Sequence, residues 1–357
     1  MSRYWSPIVH GLTPYVPGEQ PRIEGLVKLN TNECPYGPSA AVGQAIAAAA
    51  GAGALRLYPD PQSLALRQAL AAYHGLRPEQ VFVGNGSDEV LAHAFAALLH
   101  HDAPVLFPDI SYSFYPVYAR LFGIPVHPVA LDADFCVRVD DYLEAERNGG
   151  IVIANPNAPT GIALPLAELE RLLAGNRDSA VLVDEAYVDF GADSAVRLIE
   201  HNPQLLVVRT LSKSHALAGL RVGYALGHAD LIEALTRVKD SFNSYPLDRL
   251  AQAGARAAIE DAAWFEDVRA RIIATREGLI KRLRGLGGRV LPSQANFVFA
   301  CFPGHDGAAL ASALRAERVL VRHFGKPQRI APFLRVSVGT DAQTDLLLAA
   351  LGRILAR

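Results

Sequence analysis

Cysteine is scarce in this sequence. Its 357 residues include three cysteines, Cys34, Cys136 and Cys301, and none of them belongs to a CxxC pair. An odd, widely spaced set excludes a disulfide framework and lacks the ligand spacing of a zinc site. We therefore expect a protein of the reducing cytoplasm that binds no metal ion.

An excess of charge and long apolar runs are also missing. The 34 Lys and Arg residues are balanced by 36 Asp and Glu residues, which leaves a net charge of −2. That balance excludes the basic surface on which nucleic-acid and membrane-surface proteins depend. No run of about 18 apolar residues is free of charges and turn formers, so we expect no membrane span. The first twenty residues lack the apolar segment of a signal peptide.

The sequence does have a regular alternation of short apolar runs with helical patterns. Nearly continuous apolar strands that alternate with helices predict an α/β fold, with a mostly parallel sheet and helices on both faces. We expect residues 39–245 to form this large domain and residues 246–357 to form a smaller α+β domain. Residues 1–38, rich in Pro and Gly, are expected to be an arm that packs across the rest. The predicted strands are 81–83, 104–107, 125–129, 151–154, 180–183, 205–208, 221–225, 296–300, 319–321 and 333–337.

The stretch Gly84 to Glu89, GNGSDE, follows a predicted strand and begins a helix. Glycines allow a ligand to approach the backbone closely, and the free N–H groups of a helix start favour a phosphate. Ser87 and Asp88 are the candidates for this contact. The stretch matches neither GxGxxG nor GxxxxGK[ST], so the dinucleotide and P-loop fingerprints are missing. The alternative is a tight turn in which Ser87 only caps the helix.

Two further strand ends carry polar side chains. Asn157 lies in the rigid turn NPNAPTG, where it could donate to a ligand oxygen, although the motif is equally typical of a simple loop. Asp184 ends the strand AVLVD, where a carboxylate needs a partner. A pyridinium N–H would be such a partner, and Tyr187 could donate to a phenolate oxygen on the same ring. The alternative for Asp184 is a helix cap.

Lys213 lies in the stretch TLSKSHALAGLRVG, directly after a predicted buried strand. We interpret it as the lysine that binds an aldehyde cofactor as a Schiff base. Thr210, Ser212 and Arg221 would supply hydroxyls and a guanidinium for the cofactor phosphate. A single lysine is usually a surface charge, but four polar strand ends in a consistent order favour the cofactor site.

Two arginines near the C-terminus stand in apolar strands. Arg335 lies within FLRVSVG and Arg322 follows VLV. Two guanidinium groups suit a phosphate or a carboxylate, which each of them can bind in a bidentate manner. Ordinary structural ion pairs are the alternative for both residues.

These motifs occur in the order of a known family. The stretches LTPY, KLNTNE, YPDPQS, GNGSDE, NPNAPTG, DEAY, TLSKSHALAGLRVGY and FLRVSVGT span nearly the whole chain. With them the sequence resembles the histidinol-phosphate aminotransferases, which are class II, fold-type I enzymes dependent on pyridoxal 5'-phosphate. The resemblance implies a homodimer that catalyses L-histidinol phosphate + 2-oxoglutarate = imidazole acetol phosphate + L-glutamate in histidine biosynthesis. Ala158 departs from the second asparagine of many relatives, with little effect expected.

The resemblance also implies a role for each site residue. Lys213 would carry the cofactor, Asp184 would pair with its ring nitrogen, and Asn157 and Tyr187 would bind its ring oxygen. Tyr112 would stack on the ring. The cofactor phosphate would be bound by Ser87, Asp88, Thr210, Ser212 and Arg221, with Tyr58 reaching across from the neighbouring subunit. The substrate anion would be bound by Tyr15, Asn32, Arg322 and Arg335.

Three other functions stay open from the sequence. A phenylalanine or tyrosine aminotransferase would use the same chemistry, because the arginines suit a carboxylate and the tyrosines suit a phenyl ring. A decarboxylase acting on an amino-acid phosphate would keep Lys213 and Asp184. A non-catalytic effector domain would need a fused DNA-binding segment, and the 38-residue arm is too short and too rich in proline for one.

Overall fold

The computed structural model describes residues 2–51, 53–145 and 147–356 and contains two β-sheets. In chain order the strands are β1 (Val27–Leu29), β2 (Val81–Asn85), β3 (Val105–Pro108), β4 (Val126–Val129), β5 (Gly150–Ala154), β6 (Val181–Asp184), β7 (Leu205–Thr210), β8 (Val222–Gly227), β9 (Arg289–Val290), β10 (Phe297–Cys301), β11 (Val319–His323) and β12 (Leu334–Ser337). The helices are α1 (Pro7–Gly11), α2 (Ala40–Ala49), α3 (Leu64–His74), α4 (Gly86–Leu98), α5 (Tyr115–Phe122), α6 (Val139–Leu143), α7 (Leu166–Gly175), α8 (Ala229–Phe242), α9 (Arg249–Glu260), α10 (Ala262–Gly285), α11 (Gly307–Ala316) and α12 (Asp341–Leu355).

The larger sheet has seven strands in the order β2-β8-β7-β6-β5-β3-β4. Only β8 runs antiparallel to its neighbours. Both faces are covered: in β6, Val181 and Val183 pack in one core with α3, α7 and α9, whereas Leu182 packs in a second core with α4, α5 and α8. Side chains that alternate between two apolar cores explain why these strands are apolar throughout. The predicted α/β fold is confirmed.

The smaller sheet has five strands in the order β1-β11-β12-β10-β9. Helices α10, α11 and α12 pack against it. Strand β1 belongs to the arm and pairs in parallel with β11, so that Val27 lies opposite Val319. The extended arm expected for residues 1–38 therefore contains a strand and also the short helix α1. The three residues of β1 are too few to show a period of two, which is why sequence patterns missed it.

Three other elements differ from the sequence prediction. The helix expected from Tyr112 begins at Tyr115, because Pro116 is favoured in the first turn of a helix. The strand expected from Arg221 begins one residue later, and Arg221 itself has a left-handed backbone with φ of 54°. Helix α9 packs on α2 and α3 in the large-sheet core, although it follows the border expected at residue 245. Within the described ranges, no helix is long and apolar enough to cross a membrane.

Candidate active site

A cavity lies at the carboxyl ends of β5, β6 and β7, next to strands β11 and β12 of the smaller sheet. Because β5, β6 and β7 are parallel, the polar residues that follow them meet at one edge of the sheet. The arm contributes to the wall as well. The predicted site residues that line the cavity are Tyr15, Ser87, Asp88, Tyr112, Asp184, Tyr187, Thr210, Ser212, Lys213, Arg221, Arg322 and Arg335.

Lys213 reaches the cavity from the loop between β7 and β8. Its Nζ donates a hydrogen bond to the backbone carbonyl of Thr31 at 3.1 Å and lies 5.8 Å from the centre of the Tyr187 ring. The loop turns sharply, since the backbone N–H of Ser212 donates to Oγ1 of Thr210 at 3.1 Å. The amine therefore faces the cavity, where it can react with a ligand carbonyl.

A buried polar network holds this loop from behind. Ser214, the residue after the lysine, donates from Oγ to Oδ2 of Asp189 at 2.5 Å. Asp189 forms an ion pair with Arg209, whose guanidinium also lies 4.0 Å from Glu185. Burial opposes the ionisation of Asp189, but the nearby positive charges and the hydrogen bonds that it accepts from Ser214 and Arg209 together outweigh burial and lower the pKa of that carboxyl. An unpaired charge here would be costly, so the network fixes the backbone beside the lysine.

Asp184 extends from the end of β6 into the cavity and is almost fully buried. Its Oδ2 accepts a hydrogen bond from the hydroxyl of Tyr115 at 2.8 Å, and its Oδ1 accepts one from the backbone N–H of Ala186 at 3.2 Å. Burial raises the pKa of Asp184 to about 6, and the two hydrogen bonds oppose that rise. Such a carboxylate is ionised at neutral pH and is ready to pair with a cationic N–H group.

Tyr187 is linked to the arm by a short hydrogen-bond chain. Its hydroxyl accepts a hydrogen bond from Nδ2 of Asn32 at 3.1 Å, and Oδ1 of Asn32 accepts one from Ser337 at 3.0 Å. The Tyr187 ring packs edge-on against Phe297. Asn32 does not line the cavity itself; it lies behind Tyr187 and leaves the hydroxyl proton of Tyr187 available for a ligand oxygen.

The structure does not bring the Asn157 side chain into the cavity. Its Nδ2 donates to the carbonyl of Ile110 at 2.9 Å and to Thr160 at 3.1 Å, and its Oδ1 accepts a hydrogen bond from Ser111 at 2.8 Å. Both amide protons are therefore used within the protein, so the expected donation to a ring oxygen does not fit this geometry. Ala158, one residue on, lines the cavity in its place.

One candidate anion site lies where α4 begins. Backbone N–H groups at the start of this 13-residue helix lack intrahelical partners and face the cavity at Ser87 and Asp88. The Oγ of Ser212 is buried without a hydrogen-bond partner among the described residues, and Arg221 lies 3.3 Å from Asp88. A phosphate would satisfy the hydroxyl and the free N–H groups together. Strand β8 passes so close that a Cβ on Gly223 would lie 2.2 Å from the nitrogen of Ser87.

A second candidate anion site lies on the smaller sheet. Arg322 and Arg335 are direct partners on the antiparallel strands β11 and β12, so two like charges stand side by side. Arg335 donates to the backbone carbonyl of Asn30 at 3.0 Å, while its buried Nε has no hydrogen-bond partner in the described chain. Burial lowers the pKa of the Arg335 guanidinium, and Arg322 acts in the same direction. A bound anion would relieve both the repulsion and the unpaired N–H.

Aromatic residues form the remaining wall. The hydroxyl of Tyr112 donates to Oδ1 of Asp88 at 2.8 Å, which fixes the ring above the cavity floor. Tyr15 from the arm packs against Phe114, with ring centres 4.7 Å apart. Tyr58 lies away from this cavity: it is 79% exposed and stacks on Tyr245.

Sequence patterns missed two groups that contact predicted site residues. Tyr115 lies on the predicted helix from Tyr112, three residues further on, and its hydroxyl contact with Asp184 depends on how α5 packs on the sheet. The carbonyl of Thr31 belongs to the backbone, so no residue type could have revealed its contact with Lys213. Spacing of three from Tyr112 on a helix face is the signal that could have indicated Tyr115.

Comparison with known proteins shows the family of this chain. Residues 24–351 match the family described as aminotransferase class I and II. The chain is 66% identical over 98% of its length to histidinol-phosphate aminotransferase 2 of Thiobacillus denitrificans, of which it covers 97%, and 62% identical over its full length to histidinol-phosphate aminotransferase of Gluconacetobacter diazotrophicus, of which it covers 99%. The crystal structure of histidinol-phosphate aminotransferase from Sinorhizobium meliloti in complex with pyridoxal-5'-phosphate is 26% identical, with a TM-score of 0.88 over 100% of this chain and 98% of that one. The chain belongs to the class I and II aminotransferase family.

Proposed function

We propose that this chain is a pyridoxal-phosphate-dependent aminotransferase that exchanges the amino group of L-histidinol phosphate with 2-oxoglutarate, giving imidazole acetol phosphate and L-glutamate in histidine biosynthesis. The observation that carries the proposal is the pair of separate anion sites on either side of Lys213. One suits a cofactor phosphate at the start of α4, and the other offers Arg322 and Arg335 to a substrate anion. A substrate with its own phosphate fits the second site.

The residues around the first anion site fit pyridoxal phosphate. Ser87, Asp88, Thr210, Ser212 and Arg221 would hold its phosphate, and the unpartnered Ser212 hydroxyl supports this assignment. Tyr112 would cover one face of the ring. When bound, the cofactor supplies an electron sink for the carbanion that forms at the substrate Cα.

The chain's own residues account for the proton transfers. Lys213 would bind the cofactor and, once released, its Nζ would move the proton at the substrate Cα. Asp184 would hold the proton on the ring nitrogen, because its carboxylate is buried and ionised at neutral pH. Tyr187 would donate its hydroxyl proton to the ring oxygen while Asn32 orients it. Ping-pong kinetics are expected.

The first test compares two amino donors on one preparation. We expect kcat/KM with 2-oxoglutarate to be higher for histidinol phosphate than for phenylalanine, because two guanidinium groups bind a phosphate dianion more strongly than a carboxylate. A preference for phenylalanine would replace the proposal with an aromatic amino-acid aminotransferase. Release of carbon dioxide without an amino-group exchange would indicate a decarboxylase instead.

The second test removes the lysine. We expect Lys213→Ala to lower the transamination rate by roughly 10³-fold or more while the protein still binds pyridoxal phosphate through its phosphate site. The matched control is Lys281→Ala, which removes an exposed lysine on α10, and its rate should equal that of the wild type. A Lys213→Ala variant with the wild-type rate would contradict the proposed chemistry.

We propose further that the active form is a cytoplasmic homodimer in which Tyr58 of each subunit reaches the cofactor phosphate of the other. Tyr58 is exposed and does not line the cavity of its own subunit. The nearby Leu55 and Leu57 are more than half exposed as well. An apolar exposed loop of this kind suits a subunit interface. We also propose that the chain divides into an arm, a large domain and a small domain, with α9 packed on the large domain.

A further inference from the structure

We infer that Tyr115 is a positioning residue for the cofactor: its hydroxyl keeps the Asp184 carboxylate oriented and ionised, so that Asp184 can pair with the protonated ring nitrogen. This inference rests on the proposed function and adds a residue to which the sequence analysis assigned no role. Tyr115 does not line the cavity itself, so it would act entirely through its neighbours.

The contact is built from buried groups. Tyr115 is fully buried at the first turn of α5, and its hydroxyl donates to Oδ2 of Asp184 at 2.8 Å. Phe95 stacks on its ring at 6.2 Å, and Phe107 packs edge-on at 6.0 Å, so the ring has little freedom to rotate away. Because both partners are buried, water cannot replace the hydrogen bond if the hydroxyl is lost.

Tyr115 also supports the residue expected to cover the cofactor ring. Its ring meets that of Tyr112 edge to face, at 5.6 Å and 85°. Tyr115 thus contacts both residues that are expected to bind the cofactor ring. Tyr112 would cover the ring face, and Asp184 would pair with the ring nitrogen. Each carboxylate oxygen keeps a free lone pair beside its single protein donor, which leaves room for the cationic N–H.

The electrostatic surroundings make this hydrogen bond important. Burial raises the pKa of Asp184, the negative charge of Asp88 raises it further, and the Tyr115 hydroxyl lowers it. Without that hydroxyl, the pKa rises again. The titratable and charged groups that face Asp184 are Asp88 from α4, Tyr115 and Tyr118 from α5, and Tyr112, Tyr187, Lys213 and Arg221 across the cavity.

The sign of the pH effect follows from linkage. Pairing with the cationic ring nitrogen needs the ionised carboxylate, so affinity for the cofactor is complete above the pKa of Asp184 and is lost as the pH falls through it. In Tyr115→Phe the pKa is higher, and the loss therefore begins at a higher pH. We expect an upward displacement of the midpoint by about one pH unit, so that binding is about tenfold weaker at pH values below both midpoints and nearly unchanged at pH 8, the effect of losing one hydrogen bond to a charged group.

The experiment measures the dissociation constant of pyridoxal phosphate for the full chain between pH 5 and pH 8. The variants are Tyr115→Phe, Asp184→Ala and the double variant. If Tyr115 acts through Asp184, Tyr115→Phe weakens binding in the wild type and has no further effect in Asp184→Ala. The control is Tyr142→Phe, which removes another buried hydroxyl, one without a partner in the described chain, and should bind like the wild type.

The outcomes separate the inference from the function on which it rests. Equal midpoints for Tyr115→Phe and the wild type, or equal weakening in both backgrounds, would overturn the role of Tyr115. A wild-type protein that takes up no pyridoxal phosphate would overturn the proposed function instead. If Tyr115→Phe does not fold, a fluorinated tyrosine at this position tests the inference. Its more acidic hydroxyl should donate a stronger hydrogen bond and move the midpoint to lower pH. An unchanged midpoint would refute the inference.

Discussion

The two arginines of the smaller sheet illustrate how a single register sets a binding site. Arg322 and Arg335 lie opposite each other across β11 and β12, with the Arg335 guanidinium 5.4 Å from the ring centres of both Phe297 and Phe324. Like charges opposite each other destabilise a sheet, and burial adds to the cost. The proposed binding of a substrate anion would offset both costs.

We expect Arg335→Lys to raise KM for histidinol phosphate and to lower kcat/KM by about 10- to 100-fold, because a lysine loses the planar fork and one charge-assisted hydrogen bond. Steady-state kinetics measure this. Arg289→Lys is the matched control, since Arg289 is an exposed arginine on the same sheet that packs on Phe333 outside the cavity. An unchanged KM for Arg335→Lys would show that the anion binds elsewhere.

For single residues, the sequence could predict which residue types form the candidate site but not the directions in which their side chains point. Lys213, Asp184 and Arg335 were predicted as site residues because a charge within or at the end of a buried strand needs a partner. Asn157 was expected to face the cavity, but its side-chain amide donates to the carbonyl of Ile110 instead. Backbone direction inside a turn depends on the surrounding packing, and sequence patterns contain no information on it.

The start of α4 and strand β8 form the tightest contact between elements at the site. A Cβ on Gly223 would lie 2.2 Å from the nitrogen of Ser87 and would push the helix start away. We expect Gly223→Ala to weaken binding of pyridoxal phosphate by about tenfold or more, because the helix N–H groups and the Ser212 hydroxyl would no longer converge. Equilibrium titration with the cofactor measures this.

Gly352→Ala on α12 serves as the control for this substitution. No atom lies within 4 Å of the added Cβ, so cofactor binding should stay unchanged. Unfolding should require up to about 1 kcal/mol more, since alanine is the better helix former. Equal cofactor affinity in Gly223→Ala and the wild type would mean that the phosphate binds away from α4.

The loop after β7 is joined to helix α10 by a buried histidine. His215 stacks on Phe265 at 4.6 Å and bonds to Ser214 through Nδ1 at 3.0 Å. Burial lowers the pKa of His215 to about 4, and the charge of Arg209 adds to this effect against the opposing charge of Asp189. The unfolded chain therefore takes up this proton at higher pH than the folded chain does.

Stability should consequently fall as the pH decreases from about 6.5 to 4, and His215 should account for roughly 3 kcal/mol of the loss. We expect His215→Asn, which retains a donor near the position of Nδ1, to remove that part of the pH dependence. Urea unfolding at a series of pH values measures it, with His127→Asn on the exposed strand β4 as control. A pH dependence equal to that of the wild type would show that other groups cause the loss.

Elements with a strong period were predicted well, and short ones were not. The strands of the large sheet are continuous apolar runs, and the long helices are long enough to show their period. Strands β1 and β9 have three and two residues, and only pairing with β11 and β10 makes them strands. The arm was consequently predicted to be extended, but the pairing of its strand β1 with β11 was not predicted.

At the scale of the whole molecule, the proposed exchange of Tyr58 between subunits can be tested by mixing variants. Tyr58→Ala and Lys213→Ala homodimers should each be strongly impaired. A mixed dimer would contain one site with both changes and one intact site, so random mixing should restore about a quarter of the wild-type activity. Co-expression with two affinity tags isolates the mixed dimer. Activity that stays at the level of the homodimers would show that Tyr58 acts within its own subunit.

Strand β1 attaches the arm to the smaller sheet. Because β1 pairs with β11, the chain from Val27 to Thr31 is anchored to the same sheet that carries Arg322 and Arg335. If the smaller sheet rotated relative to the larger one, these arginines and the Thr31 carbonyl would move together, and Lys213 would stay with the larger sheet. An anion that draws the arginines inward would therefore also shift the acceptor of the lysine amine. In the proposed function, substrate binding and the position of the lysine amine would therefore be coupled through the three residues of β1.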